Sequence, residues 1–273
     1  MTQEPDNKDN LSKTNPKRLS VQISLNGLSF LILDENNVPI LFEENKLSHS
    51  TTPKEILIEL QSFFAKNKTW DLPYSEVSLV YATNLYSLVP SVLFDETKAS
   101  EYLKFNSKIL ANDYVTYDTV EEKGIKVVYV PFVNINNWFF EKYGSFSYYH
   151  AITVFLNTVL NRKTSSLPQI YVHFNQNSFD CVVLSKGDLQ LCNSYPFHTP
   201  EDFIYYLLFA MEQLKLDPET VPVYLCGAIE EGDSYYTMAY TYIRHLEFFD
   251  TGHSLTDIHP EAVDHQHFIL KNL

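Results

Sequence analysis

The chain runs twice through the same order of predicted elements, and that repetition narrows the folds open to it more than any single motif does. In the first pass, Val21-Gln22-Ile23-Ser24-Leu25 alternates apolar and polar residues, Asn26-Gly27 suits the two left-handed positions of a type I′ turn, and Leu28 to Leu33 returns. Folding about that turn sets Leu25 opposite Leu28, Ile23 opposite Phe30 and Val21 opposite Ile32, so that one face is uniformly apolar. A third strand is expected at Val38 to Glu43. Thr52-Pro53-Lys54-Glu55 then combines an N-cap, a proline at the first helical position and a capping-box glutamate. The helix it opens carries Ile56, Leu57, Leu60, Phe63 and Phe64 at helical spacing, and Val77 to Ala82 reads as a buried strand.

In the second pass, Gln169 to Phe174 and Phe179 to Leu184 read as strands joined through Asn175-Gln176-Asn177-Ser178, and Asp188 to Asn193 returns across a Lys186-Gly187 turn. Thr199-Pro200-Glu201-Asp202 opens a helix with Phe203, Ile204, Leu207, Leu208, Met211 and Leu214 on its apolar face, and Val223 to Cys226 follows as a strand. Single residues echo as well: Leu25-Asn26-x-x-Ser29-Phe30 matches Phe174-Asn175-x-x-Ser178-Phe179. Between the passes, Asp113 to Val120 and Lys126 to Val130 read as strands, Asn134 to Tyr143 and Ser147 to Asn161 as helices. The boundary is placed near Gly144, giving a disordered tail at 1–18, a first half at 19–144 and a second at 145–273. Meandering strands followed by a helix, a strand and a helix imply two α/β halves with mixed sheets, facing each other across a cleft.

Charge and composition exclude several functions. The 273 residues carry 20 Lys and Arg against 34 Asp and Glu, a formal charge of −14, which repels nucleic-acid backbones and anionic lipid. Glycine occurs only 7 times, against roughly 7% in ordinary chains, so the glycine-rich loops that cradle phosphate are scarce. No G-x-G-x-x-G, Walker loop, H-E-x-x-H or G-x-S-x-G is present. The polar start of the chain lacks the apolar core of a signal peptide, and Phe203 to Met211 falls short of the roughly 20 apolar residues that span a bilayer. Cys181, Cys192 and Cys226 form no CxxC pair, which fits a reducing cytoplasm.

The repeated architecture resembles the actin-like ATPase superfamily, with its ribonuclease H-like halves. Within that superfamily, Asn84-Leu85-Tyr86-Ser87-Leu88-Val89-Pro90, Leu93-Phe94-Asp95-Glu96 and Tyr102-Leu103-Lys104-Phe105-Asn106 resemble a family of bacterial proteins of unknown function, common in Bacteroidetes and assigned this fold. The resemblance spans residues 19–273. In active members of the superfamily an aspartate ends the first strand of each half and organises Mg²⁺ and water, while the turns that follow hold phosphates. The resemblance places Ser24 and His173 at those two positions; neither is a hard-oxygen ligand of the kind Mg²⁺ takes. Of the turns, the first keeps only Gly27 and the second, Asn175-Gln176-Asn177, has no glycine. Tyr224-Leu225-Cys226-Gly227-Ala228 partly matches the strand and glycines that lie near adenosine.

What the resemblance implies, with both aspartates replaced, is a non-catalytic protein that works by binding: a scaffold for an unidentified protein partner, or a module for a ligand in the cleft, with no cofactor. Its expected binding residues are Ser24, Asn26, Gly27, His173, Asn175, Asn177, Gly227 and Glu230. The alternative is an ATP- and Mg²⁺-dependent kinase or ATPase drawing its carboxylates from Asp180, Glu230, Glu231 or Asp233. A homo-oligomer paired through edge strands is a further expectation.

Three constellations compete with bland readings. His253, His259, His265 and His267 lie among three carboxylates near the C-terminus; a polar connection leading into a last strand at Phe268 to Leu270 is preferred over a Zn²⁺ site, because the spacing matches no known ligand pattern. Cys181 and Cys192 fall opposite each other if Lys186-Gly187 is a two-residue turn, yet two reduced cysteines on a buried face are preferred over a redox pair. The tyrosine clusters at 143–149, 205–206 and 235–242 are read as core and cleft lining, with a partner surface as second reading.

Overall fold

In the computed structural model, residues 17–47, 51–66, 68–104, 109, 113–162, 165–250, 252 and 254–273 are described. The first hairpin forms where the alternation places it, as β1 (Arg18–Ser24) and β2 (Gly27–Leu33), with β3 (Pro39–Lys46) antiparallel to β2. Its register differs from the expected one. Ser24 pairs with Gly27, Ile23 with Leu28 and Val21 with Phe30, so the turn is Leu25-Asn26 rather than Asn26-Gly27, and neither Asn26 nor Gly27 has a positive φ. The shift is by an even number of residues, so the same side chains still share a face. Gly27 is held by space instead: a Cβ there would lie 2.7 Å from the Asn45 carbonyl oxygen of β3.

The capping box forms, with the Thr52 N–H donating to the Glu55 carboxylate at 2.8 Å and the Glu55 N–H to Thr52 Oγ1 at 3.3 Å, and α1 (Pro53–Lys66) follows. β4 (Glu76–Tyr81) then runs parallel to β1. Two further elements complete this sheet's surroundings, α3 (Val133–Tyr143) and β8 (Ser147–His150), the latter a strand where a helix was expected. The sheet order is β3-β2-β1-β4-β8. Phe30 stacks on Phe63 with centroids 4.3 Å apart, and both meet the fully buried Trp70, so α1 is held on the sheet chiefly by aromatic area.

Between these elements lie β5 (Tyr86–Pro90), α2 (Ala99–Lys104), β6 (Thr116–Val120) and β7 (Ile125–Tyr129). The three strands make a separate antiparallel sheet in the order β5-β7-β6. β5 is legible only afterwards, as the motif Asn84–Pro90 carries too few residues to alternate convincingly. After β8 comes α4 (Ala151–Leu160), starting four residues later than expected.

The last sheet has the order β11-β10-β9-β12-β13, the counterpart of the first sheet's order strand for strand. It comprises β9 (Gln169–Phe174), β10 (Ser178–Ser185), β11 (Asp188–Pro196), β12 (Val223–Gly227) and β13 (Leu246–Phe248), with β9 to β11 antiparallel and β9, β12 and β13 parallel. Lys186 and Gly187 take positive φ and close the β10–β11 hairpin. A β-bulge beyond Val183 then shifts the register, so Cys181 faces Asn193 and Cys192 faces Val182; the two cysteines are not partners across the ladder, and all three thiols are free. α5 (Pro200–Gln213) begins at a Thr199–Asp202 capping box, and α6 (Ser234–Tyr242) at Asp233. Period-two alternation divides β9: Ile170, Val172 and Phe174 join the core with Phe203, Leu207 and Ala239 of α5 and α6, whereas His173 meets Phe155 of α4 and Phe268. Phe268–Lys271 is a buried helix, α7, where a strand was expected.

The chain divides into two units: residues up to Thr83 with Pro131–Tyr149 and Leu273, and Asn84–Val130 with His150–Asn272. Arg18, at the expected end of the tail, already belongs to β1, and residues 1–16 lie outside the described ones. No helix among the described residues is long and apolar enough to cross a membrane.

Gly227 and Gly232 provide an internal test of packing against backbone strain. Both have positive φ, but a Cβ on Gly227 would lie 2.3 Å from the Phe174 carbonyl oxygen, and one on Gly232 meets nothing within 4 Å. Gly232→Ala is expected to cost about 1–2 kcal/mol of left-handed strain, and Gly227→Ala at least about 2 kcal/mol more through the clash. Urea unfolding of both variants checks this, and equal losses would show that the Gly227 loop relaxes freely.

Candidate functional site

The β1–β2 turn uses its polar atoms locally. Ser24 Oγ donates to the Gly27 carbonyl at 3.1 Å and accepts the Asn26 N–H at 3.2 Å, which is ordinary Ser-turn chemistry. The carbonyls of Leu25 and Asn26 accept from Thr51 and Leu47 at 2.8 Å each. One atom is left over: Asn26 Oδ1 is buried without a hydrogen-bond partner.

The corresponding end of the last sheet is built around a carboxylate. Asp180 on β10 pairs with His173 on β9, and its side chain lies inside the protein. His173 Nδ1 lies 3.4 Å from Oδ2, Asn175 Nδ2 donates to the same oxygen at 2.9 Å, and the Ser194 hydroxyl of β11 donates to Oδ1. Since Ser194 spends its only proton on Asp180, the Tyr86 hydroxyl of β5, 2.9 Å away, must be the donor to Ser194 Oγ. Burial pushes the Asp180 carboxyl up, but the hydrogen bond and attraction from His173, with the bonds from Ser194 and Asn175, outweigh it and hold its pKa below the ordinary value. Serine, histidine and aspartate do meet here, yet in the wrong order for nucleophilic catalysis: the aspartate sits between the other two, so no base faces the hydroxyl.

A second, half-buried carboxylate lies in the same unit. Asp118 of β6 accepts from the Tyr129 hydroxyl at 3.0 Å, the His150 N–H at 2.8 Å and Thr153 Oγ1 at 2.6 Å. Here burial wins over those bonds, and the carboxyl is raised. The His150 ring lies 4.9 Å from that of Tyr86 and 5.2 Å from that of Tyr129, which links the two carboxylate sites through aromatic contact.

Gly227 ends β12 beside His173, with its N–H on the His265 carbonyl at 2.8 Å. His265 is buried, stacks on Phe248 at 3.8 Å and donates from Nε2 to the Ile229 carbonyl at 2.6 Å. Burial lowers its pKa. It is thus a structural pin, and it does not share a strand face with His267, which opens α7; His253 lies outside the described residues. Among the described residues no three His, Cys, Asp or Glu side chains are grouped to hold a metal ion. Glu230 is exposed and accepts from Gln266 at 3.0 Å, and Asn177 is exposed with its carbonyl on the Phe197 N–H.

The structure therefore gathers His173, Asn175 and Gly227 into one neighbourhood of the second unit and Ser24, Asn26 and Gly27 into one turn of the first. Mg²⁺ with a nucleotide does not fit these groups: the hydroxyl, amides and imidazole are not its preferred ligands, and Asp180 has both oxygens engaged in a desolvated site. Of the tyrosines, Tyr149, Tyr205, Tyr240 and Tyr242 are exposed, and the rest of the described cluster residues pack at least in part.

The profile of the DUF3822 family, proteins of unknown function, matches residues 6–246. The chain belongs to this family. The family member's fold is that of actin-like ATPases: a Bacteroides thetaiotaomicron protein with actin-like ATPase fold and unknown function is 20% identical, with a TM-score of 0.75 over 90% of this chain and 95% of its own. The structure of the PilM–PilN type IV pilus biogenesis complex is similar at 10% identity, with a TM-score of 0.54 over 85% of this chain and 88% of that one. At such identity the likeness speaks for the fold alone. No curated protein matches in sequence.

Sequence reasoning assigned no role to Tyr86, Asp118, His150 or Ser194, because the partners that join them here lie 11 to 108 positions away along the chain. The depressed carboxyl of Asp180 gives this DUF3822 protein stability that is present above the unfolded pKa of about 3.9 and lost as pH falls through the lower folded value. Asp180→Asn is expected to cost roughly 2–4 kcal/mol near neutral pH and clearly less at about pH 3. Urea unfolding at both pH values tests this; an equal cost at both would show that the charge contributes nothing. Burial also pushes the Cys181 thiol up to about 12, so Cys181 and Cys226 are expected to resist alkylation in the native protein and react in urea, as mass spectrometry would register.

Proposed function

We propose that this DUF3822 protein is a non-catalytic member of the actin-like fold that works by binding, as a scaffold for a protein partner or as a ligand module. The observation that carries the reading is the state of Asp180. It is the carboxylate nearest the place where the fold's enzymes keep one, and it is buried and hydrogen-bonded to His173, Asn175 and Ser194. A desolvated carboxylate that accepts two bonds on Oδ2 and one on Oδ1 is committed to holding three strands together, and recruiting it to a metal would disturb those bonds.

The turn residues Ser24, Asn26, Gly27, His173, Asn175, Asn177, Gly227 and Glu230 are the positions assigned to binding, and the unpartnered Asn26 Oδ1 supports a ligand donor at the first turn. The matching strand order of the two five-stranded sheets supports an internal duplication, in which Ser24 and His173 stand at the two positions where the superfamily keeps its aspartates. A cytoplasmic location agrees with three free cysteines. PilM, a neighbour of this fold, occurs in a complex with PilN, which favours a protein partner by analogy.

Titration with ATP and ADP, with and without Mg²⁺, followed by thermal shift and calorimetry, is the test. A nucleotide at about 100 times its Kd would add about 2.7 kcal/mol of stability. No Mg²⁺-dependent shift is expected. Mg²⁺-dependent binding together with hydrolysis abolished by a change at Asp180 or Glu230 would overturn the reading in favour of an enzyme.

A further inference from the structure

A cavity of about 500 Å³ opens at the end of β9 and β10 opposite to Asp180, where Gln169 and Leu184 pair. Its volume falls within the range of small-molecule sites. Lys123, Arg162 and Lys186 line it together with a single carboxylate, Glu122. In a chain where acids outnumber bases by 34 to 20, a wall with three cations and one anion is a local reversal.

One cation has its side chain held by neighbours, and a second has its backbone fixed by a tight turn. The Arg162 guanidinium lies 4.6 Å from the Phe249 ring centre and 5.2 Å from that of Tyr224, so ring contacts orient its fork. Lys186 sits at φ 54 in the tight β10–β11 turn, whose backbone is fixed by the hairpin on either side. Lys123 approaches Asp188 at 3.3 Å, but the Asp188 side chain is 76% exposed, so water screens that pair and a ligand would compete with it cheaply. Val159, Leu167 and Leu184 supply apolar wall beside these charges.

We propose that this cavity binds a small organic anion, a phosphate or carboxylate head joined to a short apolar body. The head would lie against Lys123, Arg162 and Lys186, and the body against the aliphatic wall. Long polyanions are kept out by the same arithmetic that admits a small one: the attraction of three cations acts within the Debye length of about 8 Å, and beyond it the net charge of −14 repels a nucleic acid. The site uses none of the turn residues assigned above, so it stands or falls independently of them.

Phenyl phosphate is the probe, with neutral benzyl alcohol as its uncharged control, in calorimetry and in ¹H–¹⁵N spectra of the full chain. Binding with Kd below about 1 mM and shifts at Leu184 and Gly187 are expected, with none from benzyl alcohol at the same concentration. Arg162 packs on rings and is left intact; Lys123→Gln with Lys186→Gln, the first half-buried and the second exposed, is expected to weaken binding at least about tenfold. The thermal midpoint without ligand reports that the variant is folded. Absence of binding by the natural chain, or binding unchanged in the double variant, would overturn the proposal.

Discussion

A buried carboxylate must be met by donors or it neutralises, and around Asp180 that requirement organises much of the second unit. Its partners come from β9, the β9–β10 turn and β11, and through Ser194 the chain of hydrogen bonds reaches Tyr86 on β5. The three-stranded sheet β5-β7-β6 and the last five-stranded sheet are thereby tied by polar groups whose geometry tolerates little drift. Apolar contacts alone would permit sliding between them. Asp118, bonded to Tyr129, His150 and Thr153, adds a second fixed point between that small sheet and the start of α4.

The opposite tendencies of these two carboxyls show how environment decides charge. Asp180 has a histidine beside it, and its pKa falls; Asp118 accepts only from neutral groups, and burial raises it. Function at the β9–β10 turn is constrained by the same fact. Any ligand that recruited Asp180 would have to compete with the three hydrogen bonds through which it holds its strands.

Most of the regular elements were legible in the sequence. Alternation marked β1, β2, β9 and β10, and the Thr-Pro starts at Thr52 and Thr199 marked α1 and α5, because these signals act over a few residues and are satisfied locally. The failures share a cause. Ser147–His150 pairs in a sheet although it adjoins a helical pattern, Phe268–Lys271 coils although it is a short apolar run, and the Cys181–Cys192 pairing is displaced by a bulge. In each, a partner distant in the chain outweighs a weak local preference. Ser24, His173 and Gly227 were named from the sequence as candidate positions. What each does was not legible there, since Ser24 serves its own turn and His173 serves a carboxylate seven residues on.

By itself, then, the amino-acid order determined the repeated succession of strands and helices, the apolar faces that drive them together and the want of an aspartate at the two strand ends; all follow from residue type and spacing. Only the tertiary structure decided that Asp180 is desolvated and held by three donors, that Tyr86 and Asp118 join it in one unit, and that Lys123, Arg162 and Lys186 line a cavity in an acidic protein. The reason is physical: burial, pairing and electric field depend on what lies within a few ångströms in space, and in this chain those neighbours are 5 to 108 residues apart along it.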